Sequence, residues 1–269
     1  MNSSADPSAD SGGLAAKVDR VRSTAKRELA SLRRYWRDAD GIWLTVPRLQ
    51  DPEVLAAISR HLLNAGGSQT LLNSAISAST VDILERAAKR SEGYRLNELP
   101  SFVVQQAVSI LDGFLLNLSR VWLTAHPRAL LRSGRGQKTR EVSLAEVLDA
   151  PSRDVLINRV VEREVRRRAY GSLAEQLSSL NDLFKYELPP DATETLAELK
   201  AARDLLVHAG GVVNADYLAA AGPAARFAAG ERIQLPTDYV QNSLDVIFSA
   251  VDSIAQAAVA KAGDAPARG

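Results

Sequence analysis

Arg203, Asp204 and His208 have the residue types and the spacing in this chain that best suit chemistry. A guanidinium keeps a fixed positive charge, and an imidazole exchanges protons near neutral pH. Asp204 and His208 are four residues apart and share a face on a helix. The carboxylate could therefore orient the imidazole and favour its protonated form. Together the three side chains suit proton transfer with stabilisation of a developing charge.

The element that must position these residues is a helix predicted to begin at Asp191 and to end at Gly210-Gly211. Asp191 and Glu194 fit an N-cap and its capping-box partner, and a glycine commonly ends a helix in a left-handed turn. Arg203 and His208 are five residues apart, which places them about 140° apart around a regular helix. One straight helix therefore cannot bring both to one small group. Either the last turn is distorted, or a second copy of the helix completes the site.

The run Arg203-Asp-Leu-Leu-Val-His208 resembles the Arg-x4-6-His motif of the HEPN superfamily (higher eukaryotes and prokaryotes nucleotide-binding). Residues 208–217, HAGGVVNADY, look like the extension seen in some bacterial members, and the resemblance covers residues 99–262. It implies an antiparallel helical bundle that forms a homodimer, with two motifs facing each other across a cleft. It also implies metal-independent cleavage of RNA. In that reaction His208 would move protons, Arg203 would stabilise charge on phosphate oxygens, and Asp204 would orient the imidazole.

Composition predicts an all-α, soluble protein. Of 269 residues, 46% are hydrophobic and only 5% aromatic, with abundant alanine and leucine, which favours helices over a sheet. The absence of cysteine excludes disulfides, thiolate metal sites and a cysteine nucleophile. No clustered ligands suggest a metal, so we predict no metal ion and no cofactor. No targeting or membrane-spanning pattern is recognised, so we expect a cytoplasmic protein that does not contact a membrane.

A basic segment without acidic residues is a candidate RNA-binding surface. Between Gly113 and Arg140 there is no aspartate or glutamate. The segment carries six cations, which are Arg120, Arg128, Arg132, Arg135, Lys138 and Arg140. Such a local positive field attracts phosphates, and we predict that it guides single-stranded RNA. The alternative is a surface loop that is basic without a partner.

The first predicted helix, Leu14 to about Trp36, has an apolar face and a basic face. The basic face carries seven cations, which are Lys17, Arg20, Arg22, Lys26, Arg27, Arg33 and Arg34. This face is either a solvated surface or a contact surface for nucleic acid, and the sequence leaves both open.

Four parts are predicted along the chain. Residues 1–13 and 263–269 are predicted disordered tails, residues 14–96 an N-terminal helical region, and residues 97–262 a HEPN-like helical domain. Gly93 and Pro100 mark the boundary between the two helical regions. The N-terminal region could sense a trigger or receive an inhibitory protein partner.

Three functions are weighed for this chain. The first is a metal-independent ribonuclease acting on single-stranded RNA, as a toxin of a toxin–antitoxin pair, a phage-defence effector or an RNA-processing factor. The second is a catalytically inactive HEPN-like module that binds RNA, a nucleotide or a protein. The third is a helical interaction protein in which Arg203 pairs with a local carboxylate and His208 caps a helix. Joint exposure of Arg203 and His208 in a cleft would favour the first.

Overall fold

The structure is a computed structural model that describes residues 7–263, apart from residues 52, 55, 58, 59, 61–77, 133–141 and 190. The described part of the chain is all-α, as predicted. Its helices are α1 (Pro7–Thr45), α2 (Ala78–Gly93), α3 (Leu99–Ala125), α4 (Leu144–Leu148), α5 (Arg153–Ala169), α6 (Leu173–Phe184), α7 (Ala192–His208), α8 (Ala215–Ala221) and α9 (Thr237–Gly263). Short turns of 3-10 helix lie at Val46–Gln50, Pro127–Arg132 and Gly222–Ala224, and one π-helical turn lies at Tyr94–Glu98.

Helices α1, α3 and α9 form the core of the bundle. The direction of α1 against α9 follows from their ion pairs. Arg22 and Lys26 bind Asp252, whereas Arg33, further along α1, binds Asp245, which is nearer the start of α9. The two helices are therefore antiparallel, and their apolar faces are buried against each other and against α3.

The N-terminal helix belongs to this core and not to a separate region. Val18 and Trp36 of α1 lie in the same buried cluster as the apolar residues of α3 and α9. At the predicted boundary the chain stays helical, because α2 continues through the π-helical turn into α3. Pro100 falls in the first turn of α3, where a proline is tolerated, and Gly93 is the last residue of α2. The apolar residues of α1 and those of residues 97–262 therefore form one continuous core.

The ends of the described chain are helical. α1 begins at Pro7, inside the segment predicted to be a disordered tail, and α9 ends at Gly263. Residues 1–6 and 264–269, which make up the rest of the two predicted tails, lie outside the described residues.

Two helical stretches are long and apolar enough, by length and composition, to cross a membrane: Glu85–Ala125 and Thr237–Gly263. Neither stretch is predicted to span a membrane from the sequence pattern. About half of each apolar window is buried inside the bundle. Both stretches pack against α1 and against each other, and the inner helices of a bundle have the same apolar composition.

Helix α7 runs antiparallel to α3. The ring of Phe184, at the end of the preceding helix α6, meets Trp122 edge-on near the end of α3, with ring centroids 4.7 Å apart. Further along α7, Lys200 Nζ lies 2.7 Å from Asp112 Oδ2, near the middle of α3. His208, at the end of α7, therefore lies towards the beginning of α3.

Candidate functional site

Helix α7 positions the three residues that were singled out in the sequence. Leu196, Leu199, Ala202 and Leu205 are buried and attach the helix to the core. The predicted capping box does not form. Asp191 has a φ of 63° and its side chain makes no capping hydrogen bond. This left-handed conformation follows the Pro189-Pro190 pair, and it replaces the extended backbone that an N-cap normally has.

The end of α7 is fixed by two glycines, as predicted. Gly210 and Gly211 have φ values of 59° and 77°, which side chains with a Cβ atom rarely adopt. Gly211 N donates to Leu205 O at 3.0 Å, six residues earlier, and this hydrogen bond closes the end of the helix. Ile233 N then donates to Gly211 O at 2.9 Å, and Val213 N donates to Glu231 O at 2.8 Å. The turn after His208 is thus clamped to a distant segment of the chain.

Arg203 forms an ion pair with its neighbour. Its Nη1 donates to Asp204 Oδ1 at 2.7 Å, and the two side chains are 28% and 47% exposed. Arg203 Nε is buried and has no hydrogen-bond partner among the described residues. Asp204 makes no hydrogen bond to His208 in this structure, although the sequence predicts that contact. A guanidinium offers the carboxylate a charge-assisted hydrogen bond, which is stronger than a bond from a neutral imidazole.

His208 is exposed at the end of α7, and within the described part of the chain no hydrogen bond or ion pair holds its side chain. The helix is regular through His208. Arg203 and His208 therefore remain about 140° apart around its axis. Of the two arrangements that the sequence left open, a distorted last turn is not observed. A site that uses both residues on one small group needs a second copy of α7.

Asp112 and Lys200 extend the charged row beside Arg203. Their ion pair, at 2.7 Å, is mostly covered, with side chains 24% and 19% exposed. Lys200 precedes Arg203 by three residues and Asp204 by four, so all three share one side of α7. The second carboxylate oxygen of Asp112, Oδ1, is buried without a partner among the described residues.

Arg120, one of the predicted RNA-binding residues, lies apart from His208. Arg120 Nε donates to Glu162 Oε1 at 2.5 Å, and this hydrogen bond lowers the pKa of the Glu162 carboxyl. Arg120 follows Asp112 by eight residues, and His208 follows Lys200 by eight on an antiparallel helix. At 1.5 Å per residue the two ends are separated by up to about 24 Å along the helices.

The rest of the basic segment is only partly within the described chain. Arg128 is exposed in the 3-10 turn that follows α3. The side chain of Arg132 lies outside the described residues, as do Arg135, Lys138 and Arg140.

Arg232 is a residue near the site that the sequence analysis did not select. Its guanidinium Nη1 donates to Gly210 O at 2.9 Å, two residues after His208. The side chain is exposed, and no carboxylate of the described chain forms an ion pair with it. The sequence predicts a brief extended segment over Arg232–Leu235, but nothing in its spacing links Arg232 to Gly210.

A buried carboxylate supports α7 from the inside. Glu198 is fully buried and accepts hydrogen bonds from the hydroxyl groups of Tyr217, at 2.8 Å, and Tyr239, at 2.9 Å. Burial raises the pKa of Glu198, although the two tyrosine hydrogen bonds oppose that change. Burial likewise raises the pKa of both tyrosines. The cluster ties α7 to α8 and α9.

No group of three or more His, Asp or Glu side chains in the described part of the chain could hold a metal ion. No family model, no curated protein and no solved structure matches this chain. Fold and geometry therefore define its class as an all-α bundle with an exposed histidine at the end of an inner helix.

Proposed function

We propose that this protein is a HEPN-type, metal-independent ribonuclease that cleaves single-stranded RNA as a cytoplasmic homodimer. The observation that carries the proposal is the setting of His208. It is exposed and unpaired within the described chain, at the clamped end of the helix that also presents Arg203. An imidazole in that setting is free to exchange protons with a bound substrate.

The reaction would be an internal transfer at phosphorus. His208 of one subunit takes the proton from a ribose 2′-hydroxyl, and that oxygen attacks the adjacent phosphorus. The bond from phosphorus to the 5′-oxygen breaks, and His208 of the partner subunit gives a proton to the leaving oxygen. Arg203 stabilises the negative charge that grows on the phosphate oxygens. The products are a 2′,3′-cyclic phosphate and a free 5′-hydroxyl.

The geometry of one helix supports the proposed dimer. Because Arg203 and His208 point about 140° apart on a regular helix, one chain cannot place both on the same phosphate. A second chain that faces the first would supply the missing partner. In this arrangement Asp204 holds the guanidinium of Arg203 in place, and the phosphate competes with it for that guanidinium.

The test is incubation of single-stranded RNA of mixed sequence with the purified protein in EDTA, followed by mapping of the new ends. The parent should leave 2′,3′-cyclic phosphate or 3′-phosphate ends, and His208→Ala and Arg203→Ala should lower the rate by at least about 100-fold. Arg159→Ala, which removes an exposed cation of α5, is the matched control and should cleave like the parent. Equal cleavage by parent and His208→Ala would overturn the proposal.

The ion pair between Arg203 and Asp204 favours a second candidate, an inactive HEPN-like module that binds RNA, a nucleotide or a protein. A local pair partly neutralises the cation that a reaction would need. The same experiment separates the two candidates, because the module would bind RNA and leave it intact.

A toxin or a phage-defence effector would need control by an inhibitory or sensor partner. Since α1 is part of the core, that partner would act on the whole bundle.

A further inference from the structure

The outer face of α1 carries a row of cations that the proposed site does not use. Lys17, Arg20, Arg27 and Arg34 are exposed, and none of them forms an ion pair within the described part of the chain. Arg20, Arg27 and Arg34 are seven residues apart, close to two helical turns, so they project from nearly the same side at intervals of about 10.5 Å. Lys17 stands one turn before Arg20. We call these four residues the basic row.

The other cations of this helix have structural partners. Arg22 and Lys26 bind Asp252 at 2.7 and 2.8 Å, and Arg33 binds Asp245 at 2.5 Å. These three side chains lie along the seam with α9. The ion pairs therefore divide the seven basic residues of the predicted helix into three that hold the bundle together and four that face solvent.

The surroundings of the basic row suit a phosphate backbone. Thr24 and Ser31 fall between the cations on the same side of the helix, and their hydroxyl groups can donate hydrogen bonds to phosphate oxygens. Of the neighbouring acids, Asp19 lies 3.6 Å from Arg22, and Glu28 borders the row beside Arg27. The row from Lys17 to Arg34 spans about 25 Å of helix.

We propose that the basic row binds the sugar–phosphate backbone of a single RNA strand. Charge complementarity selects this occupant, because regularly spaced, unpaired cations separated by hydroxyl groups match a chain of phosphates. Contacts from these four cations to phosphates carry no sequence information, so binding through the row is independent of base sequence. This inference deepens the proposed function. It rests on that function only for the identity of the bound polymer as RNA.

The experiment compares two variants with equal loss of charge in the His208→Ala full-length protein, which leaves the probe intact. The row variant is Lys17→Gln/Arg20→Gln/Arg27→Gln/Arg34→Gln. The control variant replaces four exposed cations elsewhere that have no ion pair in the described chain, Lys89, Arg90, Arg153 and Arg159, by glutamine. The probe is a fluorescent single-stranded RNA of mixed sequence, titrated at several salt concentrations. Circular dichroism verifies that all proteins are equally helical.

The row variant should bind RNA at least about tenfold more weakly than the parent. The slope of log affinity against log salt should become less steep by up to about 2.8, or about 0.7 for each lost phosphate contact. The control variant should stay within about threefold of the parent. Lysine in place of Arg20, Arg27 and Arg34 should retain binding, because a phosphate contact needs the charge more than the guanidinium. Should the row variant unfold, Arg27→Gln alone should carry about a quarter of the slope change.

Three results would overturn the inference. They are an equal loss of RNA affinity in the row and control variants, an unchanged RNA affinity in the row variant, and no RNA binding by the parent. Cleavage assays on proteins with His208 intact separate this result from the proposed function. If the parent binds RNA through the row but does not cleave it, the inference stands and the proposed ribonuclease is wrong. If the parent cleaves RNA through His208 and the row variant binds RNA normally, the proposed ribonuclease stands and the inference is wrong.

Discussion

Asp204 accepts a hydrogen bond of 2.7 Å from Arg203, its neighbour in sequence, and makes none to His208, which shares its helix face. The Asp204 carboxylate therefore restrains Arg203, the cation of the proposed site, and leaves His208, the proposed proton-transfer group, unrestrained. This division of roles can be tested separately from the question of whether the protein cleaves RNA at all.

We expect Asp204→Asn to tighten RNA binding by up to about fivefold, because freeing Arg203 from a partly exposed ion pair recovers up to about 1 kcal/mol. The pH profile of RNA cleavage should keep its position, since Asp204 does not contact His208. The measurements are RNA titrations and cleavage rates over the neutral pH range. Asp149→Asn, an exposed carboxylate without an ion pair in the described chain, is the control. A profile displaced to lower pH would support the contact with His208 that the sequence predicts.

We expect Glu198→Ala to lower the free energy of unfolding by about 2–4 kcal/mol. The change leaves the hydroxyl groups of Tyr217 and Tyr239 without their acceptor and opens a cavity in the core. Chemical denaturation followed by circular dichroism measures it. The control, Glu194→Ala, removes the same side chain from an exposed position in the first turn of α7 and should change stability by less than about 1 kcal/mol. Equal effects of the two changes would contradict the buried cluster.

The raised pKa of Glu198 predicts a pH dependence of stability. As pH rises above the ordinary carboxyl range, the unfolded chain loses this proton first while the folded chain still holds it. The free energy of unfolding should therefore fall with rising pH until the folded pKa is passed. Glu198→Gln lacks that proton equilibrium, so the stability of the parent relative to this variant should decrease over the same pH window. An increase would show that the two tyrosine hydrogen bonds outweigh burial.

We expect Gly211→Ala to destabilise the protein by about 1–2 kcal/mol, because its φ of 77° is unfavourable for a residue with a Cβ atom. Gly41→Ala is the matched control, since Gly41 lies inside α1 with open space where a Cβ would stand. This change should instead stabilise by about 0.5–1 kcal/mol. Thermal unfolding of both variants gives the comparison, and a neutral effect at Gly211 would be inconsistent with the clamped turn after His208.

The sequence predicted those features of the fold that neighbouring residues determine, such as the course and the end of a helix. The helical spacing of Leu196, Leu199 and Ala202 and the Gly210-Gly211 pair predicted α7 and its end, and the all-α class is confirmed. The same spacing included Leu206, which is only partly buried, whereas its neighbour Leu205 is buried. The left-handed Asp191 was missed, because the residue type fits an N-cap equally well. Gly93 and Pro100 indicated a boundary by composition, but packing of their neighbours keeps that stretch helical.

The relationships that the sequence did not predict involve distant residues. Glu198 has partners 19 and 41 residues away, and helical periodicity carries no information about them. Arg232 reaches Gly210, 22 residues away, only because two short segments pair through Val212 and Arg232. The same limit applied to α1, whose packing partner is the last helix of the described chain.

The pairing of α1 with α9 has a consequence for synthesis of the protein. Arg22 and Asp252 are separated by 230 residues, so the part of the apolar face of α1 that packs against α9 leaves the ribosome long before α9 exists. At about 5–20 residues per second this part of the face lacks its partner for roughly 10 to 50 s, whereas α3 is synthesised earlier. A nascent chain in this state is a natural substrate for chaperones. Under the proposed function, the nuclease could not become active until α9 had emerged.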